Sequence, residues 1–202
     1  MKEFNIVLAG VGGQGTLLAA EALGIAAVKD DLNVRVSEIH GMAQRGGAVL
    51  TTVRIGPGVL APTVLEGQAD VLVGFEPIET LRTLKYASER TLVVMSLERI
   101  PPVELTFRNA TYPSVEEIVE KLRLFTNSVV LVDAARLAKD AGSSLTRNVV
   151  LLGAVAGTGK LPVKRQSLLE AVRELVPAKH LDVNLRAFDL GWESVSEKKL
   201  SG

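Results

Sequence analysis

The stretch FNIVLAGVGGQGTLLAAEALGIAAVK at residues 4–29 constrains this chain more than any other. Its first part, FNIVLAG at 4–10, is an apolar run broken by glycine, the pattern of a buried parallel strand. Its last part, 16–29, is too long for a strand and rich in alanine and leucine, so it reads as a helix. Between them Gly10, Gly12 and Gly15 fit the spacing G-x-G-x-x-G. Such a turn lets backbone approach a ligand closely and points the free N–H groups of the helix at a phosphate. A plain tight turn between strand and helix uses the same spacing. Gly10, Gly12, Gly13, Gln14 and Gly15 are therefore candidate cofactor-binding residues, with that simpler role as the alternative.

The alternation continues downstream. NVRVSEI (33–39) suits a second strand, and GAVLTTVRIG (47–56) a third, expected to pair antiparallel with it across the 40–46 loop. Further strands are expected at 69–75, 91–96 and 127–134, with helices at 76–89, 114–125 and 135–142. Ser114 and Glu117 form a capping-box start for the second of these, and Gly142 a glycine stop for the third. Beyond about residue 146 the pattern is helical: 146–157, then 166–175 with Ser167 and Glu170 as a capping pair, then a last helix near 181–188. The expectation is an α/β, Rossmann-like fold: a mainly parallel sheet with helices on both faces and a C-terminal helical arm over about 146–190. With no repeat, linker or low-complexity stretch, residues 1–202 are expected to form a single domain.

In a dinucleotide fold an acid about 20 residues past the glycines holds the ribose. Asp30 and Asp31 come before the second strand, so Glu38, near its end, is the candidate. The residues IHGMAQRGG at 39–47 crowd that position with polar groups and glycines. His40 and Arg45 are the charged candidates in this loop, Arg45 because a guanidinium pairs with phosphate or carboxylate. His180 reads as a solvated residue of the helical arm, and two distant histidines without a carboxylate cluster make no metal site. AVAGTGKLP at 154–162 imitates a phosphate loop but has Ala154 and Leu161 where that motif needs glycine and Ser or Thr.

Composition removes whole classes. With 23 basic and 23 acidic residues and no basic stripe, nucleic-acid binding is not expected. The chain has no cysteine, which excludes disulfides, thiol nucleophiles and cluster ligation by thiolates. No apolar stretch approaches the roughly 20 residues of a membrane helix, and the N-terminus lacks a secretory pattern. A cytoplasmic location is expected.

Three motifs together carry a family resemblance: GVGGQG after the first strand, SEIHGMAQRGGAV after the second, and ADVLVGFEPIETLR in the middle. Over about residues 4–190 the chain resembles the gamma-type domain of the 2-oxoacid:ferredoxin oxidoreductases, most nearly the indolepyruvate branch. The resemblance implies oxidative decarboxylation of an arylpyruvate with coenzyme A, giving an aryl-acetyl-CoA, carbon dioxide and reduced ferredoxin. In such enzymes thiamine diphosphate supplies the carbanion chemistry and iron–sulfur clusters carry the electrons. This chain has no cysteine and no Gly-Asp-Gly, so a larger, cysteine-rich partner subunit is implied to hold both. A hetero-oligomer, as a dimer of heterodimers with ferredoxin as electron acceptor, is implied as well. Relatives acting on pyruvate, ketoisovalerate or 2-oxoglutarate share this domain, and a stand-alone nucleotide-binding oxidoreductase using Glu38 is the other alternative. The glycine turn and the 38–47 loop are expected to form one surface that contacts either a coenzyme A phosphate or the partner alone. No catalytic acid or base and no metal ligand is expected in this chain.

Overall fold

The computed structural model describes residues 2–40, 46–101 and 111–200. Among them six strands form one sheet: β1 (Phe4–Val11), β2 (Val34–His40), β3 (Ala48–Ile55), β4 (Val71–Gly74), β5 (Leu92–Ser96) and β6 (Ser128–Val132). Among the described residues seven α-helices accompany them: α1 (Thr16–Lys29), α2 (Pro77–Arg82), α3 (Val115–Arg123), α4 (Ala134–Ala141), α5 (Arg147–Gly157), α6 (Arg165–Leu175) and α7 (Leu181–Leu200).

The strand order is β2-β3-β1-β4-β5-β6. The pairs β1–β4, β4–β5 and β5–β6 are parallel, whereas β3 runs antiparallel to both β1 and β2. The expected hairpin between β2 and β3 therefore exists. Its second strand, however, inserts between β2 and β1, so the plain β–α–β unit expected of the first 40 residues does not. The register Ile6↔Val53 and Leu8↔Thr51 explains the insertion, because β3 carries enough apolar residues to be buried in the interior of a sheet. β2, with Arg35, Val36 and Ile39 exposed, suits an edge.

Helices cover both faces. Ile6, Leu8, Val53, Ile55, Val73 and Val94 pack toward α1, α5, α6 and α7, while Leu72, Val93 and Met95 pack toward Leu84, Ile118 and Leu122. Neighbouring residues of one strand thus enter opposite layers, as the two-residue period requires. α5 is buried at every position from Asn148 to Gly157, so the C-terminal helical arm packs on the sheet as part of the core. Where α5 crosses α7, a Cβ on Gly153 would lie 2.0 Å from the Phe188 carbonyl oxygen, and one on Gly191 2.0 Å from that of Val150. Only glycine permits this approach.

Several boundaries depart from expectation. The helix expected at 76–89 stops at Arg82, followed by a short 3₁₀ turn at Leu84–Tyr86. Ser167 and Glu170 do not cap α6, which starts earlier with Lys164 at the cap. Ser167 instead donates to Asp30 (2.7 Å), and Glu170 accepts from Gln166 (3.0 Å) and faces Lys29 (3.6 Å). The last helix runs on to Leu200, beyond the 181–188 expected. Among the described residues no helix is long and apolar enough to cross a membrane.

Candidate functional site at the C-terminal edge of the sheet

β1 and β4 are parallel neighbours whose chains leave in opposite directions. α1 packs on one face and leads to the β2–β3 side, while α2 packs on the other and leads to β5. This is the switch point of the sheet, where open α/β folds place their ligands. The glycine turn lies on one side of it and Phe75–Glu76 on the other.

Gln14 ties the two sides together. Its Oε1 accepts the Val11 N–H (2.8 Å) and its Nε2 donates to the Phe75 carbonyl (3.0 Å). Gly10 makes room for that amide, since a Cβ there would lie 2.9 Å from Gln14 Oε1, Phe75 Cβ and Thr16 Cγ2. Gly12 donates its N–H to the Gly47 carbonyl (2.9 Å), which brings the turn against the start of β3. Gly13 and Gly15 have φ of +100° and +77°, the left-handed region that glycine enters without strain. Among the described residues, the N–H groups of Gly13, Gly15 and Thr16 have no hydrogen-bond acceptor. These are the orphan donors of a helix start.

A crevice of about 50 Å³ opens between Gly13, Gln14, Phe75, Ser96, Glu98 and Arg147. Arg147, the first residue of α5, donates to the Glu98 carboxylate in a partly buried ion pair. Ser96 Oγ in turn accepts the Glu98 N–H (3.1 Å). As formed by the described residues, this volume holds a few waters, against the 300 Å³ or more typical of an enclosed coenzyme. The described residues alone do not enclose a larger ligand at this edge.

Beside the crevice, Glu76 is completely buried. Its carboxylate caps α2 by accepting the Glu79 N–H (3.0 Å), and it also accepts the Ile100 N–H (3.2 Å) and the Tyr112 hydroxyl. Burial, together with the bond to Glu76, pushes the Tyr112 phenol well above its ordinary range, so it remains a donor. The Arg99 guanidinium sits over the Tyr112 ring, 5.8 Å from its centroid.

The other expected site residues are spread more widely. Glu38 lies on the edge strand β2 in register with Thr51 of β3, so its strand is two spacings, about 10 Å, from β1. That separation removes the adjacency a ribose contact needs. His40 closes β2 in register with Val49. Arg45 lies outside the described residues. Ser96, Glu98, Arg99 and Arg147 were not singled out from the sequence. The first three end β5 or follow it within three residues, a position that marks them once the strands are known.

The family model described as pyruvate ferredoxin/flavodoxin oxidoreductase matches residues 5–194. The chain belongs to this family. Indolepyruvate oxidoreductase subunit IorB of Pyrococcus horikoshii is 46% identical over 198 residues, covering 98% of both chains. The pyruvate/ketoisovalerate oxidoreductases common subunit gamma of Thermococcus kodakarensis is 29% identical over 167 residues, covering 82% of both. In fold, the chain superposes with a TM-score of 0.73 on a 2-oxoglutarate:ferredoxin oxidoreductase from Magnetococcus marinus, solved with 2-oxoglutarate, coenzyme A and succinyl-CoA bound. There the sequence identity is 19%, and the match covers 98% of this chain but 32% of that longer one.

Membership of the pyruvate ferredoxin/flavodoxin oxidoreductase family raises the question of redox cofactors. Protein-held iron–sulfur clusters depend on cysteine thiolates, and this chain has none. Among the described residues no group of three His, Asp or Glu is placed to hold a metal. This chain's residues therefore do not fit such a cluster, and what they supply is a backbone turn and a pinned, charged edge.

Proposed function

We propose that this chain is the small subunit of an indolepyruvate:ferredoxin oxidoreductase. The observation that carries the reading is the 46% identity, end to end, to an indolepyruvate oxidoreductase subunit, against 29% for a subunit serving pyruvate and ketoisovalerate oxidoreductases. The reaction is the oxidative decarboxylation of an arylpyruvate with coenzyme A. The bond to the carboxylate breaks and carbon dioxide leaves, the acyl carbon joins the coenzyme A sulfur as the thiol gives up its proton to solvent, and the electron pair passes one electron at a time to ferredoxin. A larger, cysteine-rich partner subunit holds thiamine diphosphate and the iron–sulfur clusters, in a cytoplasmic hetero-oligomer built as a dimer of heterodimers. Residues 1–202 act within it as one gamma-type domain.

The role left to this chain is to shape and close the partner's site. The C-terminal edge faces the partner, and the unbonded amides of Gly13, Gly15 and Thr16 receive a phosphate of coenzyme A. His40, which ends β2, or Arg45, five residues on in the sequence, adds charge to this phosphate contact. The small crevice and the clamp made by Gln14 support a site completed by two chains. The displacement of Glu38 from β1 speaks against a free-standing dinucleotide enzyme.

A pull-down with this chain as bait from anaerobically grown native cells tests the reading. The expected eluate is brown, contains iron, thiamine diphosphate and a larger cysteine-rich chain, and reduces a dye on indolepyruvate plus coenzyme A. Reduction on pyruvate but not indolepyruvate would move the chain to another branch of the family. A colourless, inactive chain alone would refute the subunit reading.

A further inference from the structure

Glu76, Tyr112 and Arg99 form a chain of contacts that the fold alone does not require. A carboxylate that is completely buried loses its hydration, and an apolar residue in its place would avoid that cost. Glu76 offsets it with three donors, and two of them, Ile100 N–H and Tyr112 O–H, come from the segments that leave β5 and enter α3. The residues before Arg99 are held as well. Leu97 N–H donates to the Val132 carbonyl (3.0 Å), and Glu98 is bonded to both Ser96 and Arg147. Arg99 thus stands between fixed neighbours, its side chain exposed and its guanidinium resting on the ring that Glu76 holds in place. Among the described residues it has no carboxylate partner.

We propose that Arg99 is a binding residue for a phosphate of coenzyme A at this edge, with Tyr112 and Glu76 as the residues that position it. The assignment rests on the functional reading above and adds recognition by a side chain to the backbone amides of the glycine turn. An arginine fork pairs with phosphate oxygens through two parallel hydrogen bonds. Holding the fork ready on an aromatic ring reduces the ordering that binding would otherwise demand.

The test is steady-state kinetics on the assembled enzyme carrying Arg99→Ala, Arg99→Lys, Tyr112→Phe, Tyr112→Leu or Glu76→Gln. Arg99→Ala is expected to raise the KM for coenzyme A about tenfold, the scale of one charge-assisted hydrogen bond. The KM for indolepyruvate and kcat at saturating coenzyme A should stay put. Arg99→Lys keeps the charge without the fork and should fall between Arg99→Ala and the parent. Tyr112→Phe keeps the ring and should shift the KM for coenzyme A less than Tyr112→Leu. Tyr112→Leu combined with Arg99→Ala should be no worse than Arg99→Ala alone, because Tyr112 acts through Arg99. Glu76→Gln should raise the same KM and leave that for indolepyruvate alone, which a merely structural role would not do. Arg99→Ala with a KM for coenzyme A within about twofold of the parent, in an active complex, would overturn the assignment and leave the functional reading standing. A parent complex inactive on indolepyruvate would instead remove that reading, and this inference with it.

Discussion

Gly153 and Gly191 lie where α5 crosses α7, and Gly13 and Gly15 lie where β1 turns into α1. At the crossing, a Cβ would strike a backbone carbonyl at 2.0 Å on either helix, and all of the surroundings are protein. At the turn, a Cβ on Gly13 would meet nothing within 4 Å, and the constraint comes from φ. The first pair are glycines because two backbones touch. The second are glycines because the chain must bend and leave amides bare at a sheet edge. One residue type thus serves packing in one region and an open surface in the other, and spacing in the sequence does not distinguish them.

The crossing should be the less forgiving of the two. Gly191→Val is expected to cost about 3 kcal/mol or more, since neither helix can retreat without opening the core. Tm should fall by about 6–12 °C in a thermal melt. A shift of a degree or two would show that α5 and α7 have slack the structure does not suggest.

Next in size is the turn. Gly13→Ala should cost about 1–2 kcal/mol from the left-handed backbone alone. Gly15→Ala should cost more, because its Cβ would also lie 2.5 Å from Asn148 Nδ2. Placing both in an Asn148→Ala background should narrow the gap between them in chemical denaturation. An unchanged gap would mean that Asn148 already yields.

The far end of α1 offers a contrast of comparable scale. Asp30, with its side chain 5% exposed, accepts from the Lys164 N–H (2.6 Å) and the Ser167 hydroxyl (2.7 Å), joining α1 to α6. Burial alone would raise its pKa, but these bonds and the Lys164 charge hold it below the ordinary 3.8. A carboxylate depressed on folding stabilises the fold above its unfolded value, and that contribution is lost as pH falls through the folded one. Below about pH 4 the parent should lose stability that Asp30→Asn lacks at every pH, a difference of about 1–2 kcal/mol at neutral pH. Parallel stability curves for the two proteins down to pH 2 would contradict this.

The smallest effect belongs to Thr51, whose buried hydroxyl has no partner among the described residues. Thr51→Val should be neutral or stabilising by up to about 1 kcal/mol in the same assay. A loss of more than that would point to a bond the geometry does not show.

Most elements could be read in the sequence because period and punctuation agreed. α1 begins and ends as its alanine-rich pattern indicates, and Ser114 with Glu117 marks the start of α3 through reciprocal bonds of 3.1 and 2.8 Å. The hairpin was legible, but the placement of β3 beside β1 was not. Strand order depends on contacts between residues far apart in sequence, such as Phe4 with Ile55. Ser167 shows another limit: a serine near a helix start resembles a cap until a carboxylate from a different helix claims its hydroxyl. At the candidate site, the glycines of the turn stood out by spacing. Glu98, Arg99 and Arg147 did not, and Phe75 and Glu76 stood out only as part of a motif, since these residues come together only when β4, β5 and α5 converge.

The central claim is that the C-terminal edge of the sheet meets the partner subunit. Hydrogen exchange on this chain, free and in the assembled complex, tests it most directly. The unbonded amides of Gly13, Gly15 and Thr16 should exchange fast in the free chain and slow on assembly, while the already bonded amides of Glu98 and Ile100 should slow further. Protection confined to the opposite edge, at residues 57–68 and 124–127, would place the partner on the wrong end of the sheet and contradict the account.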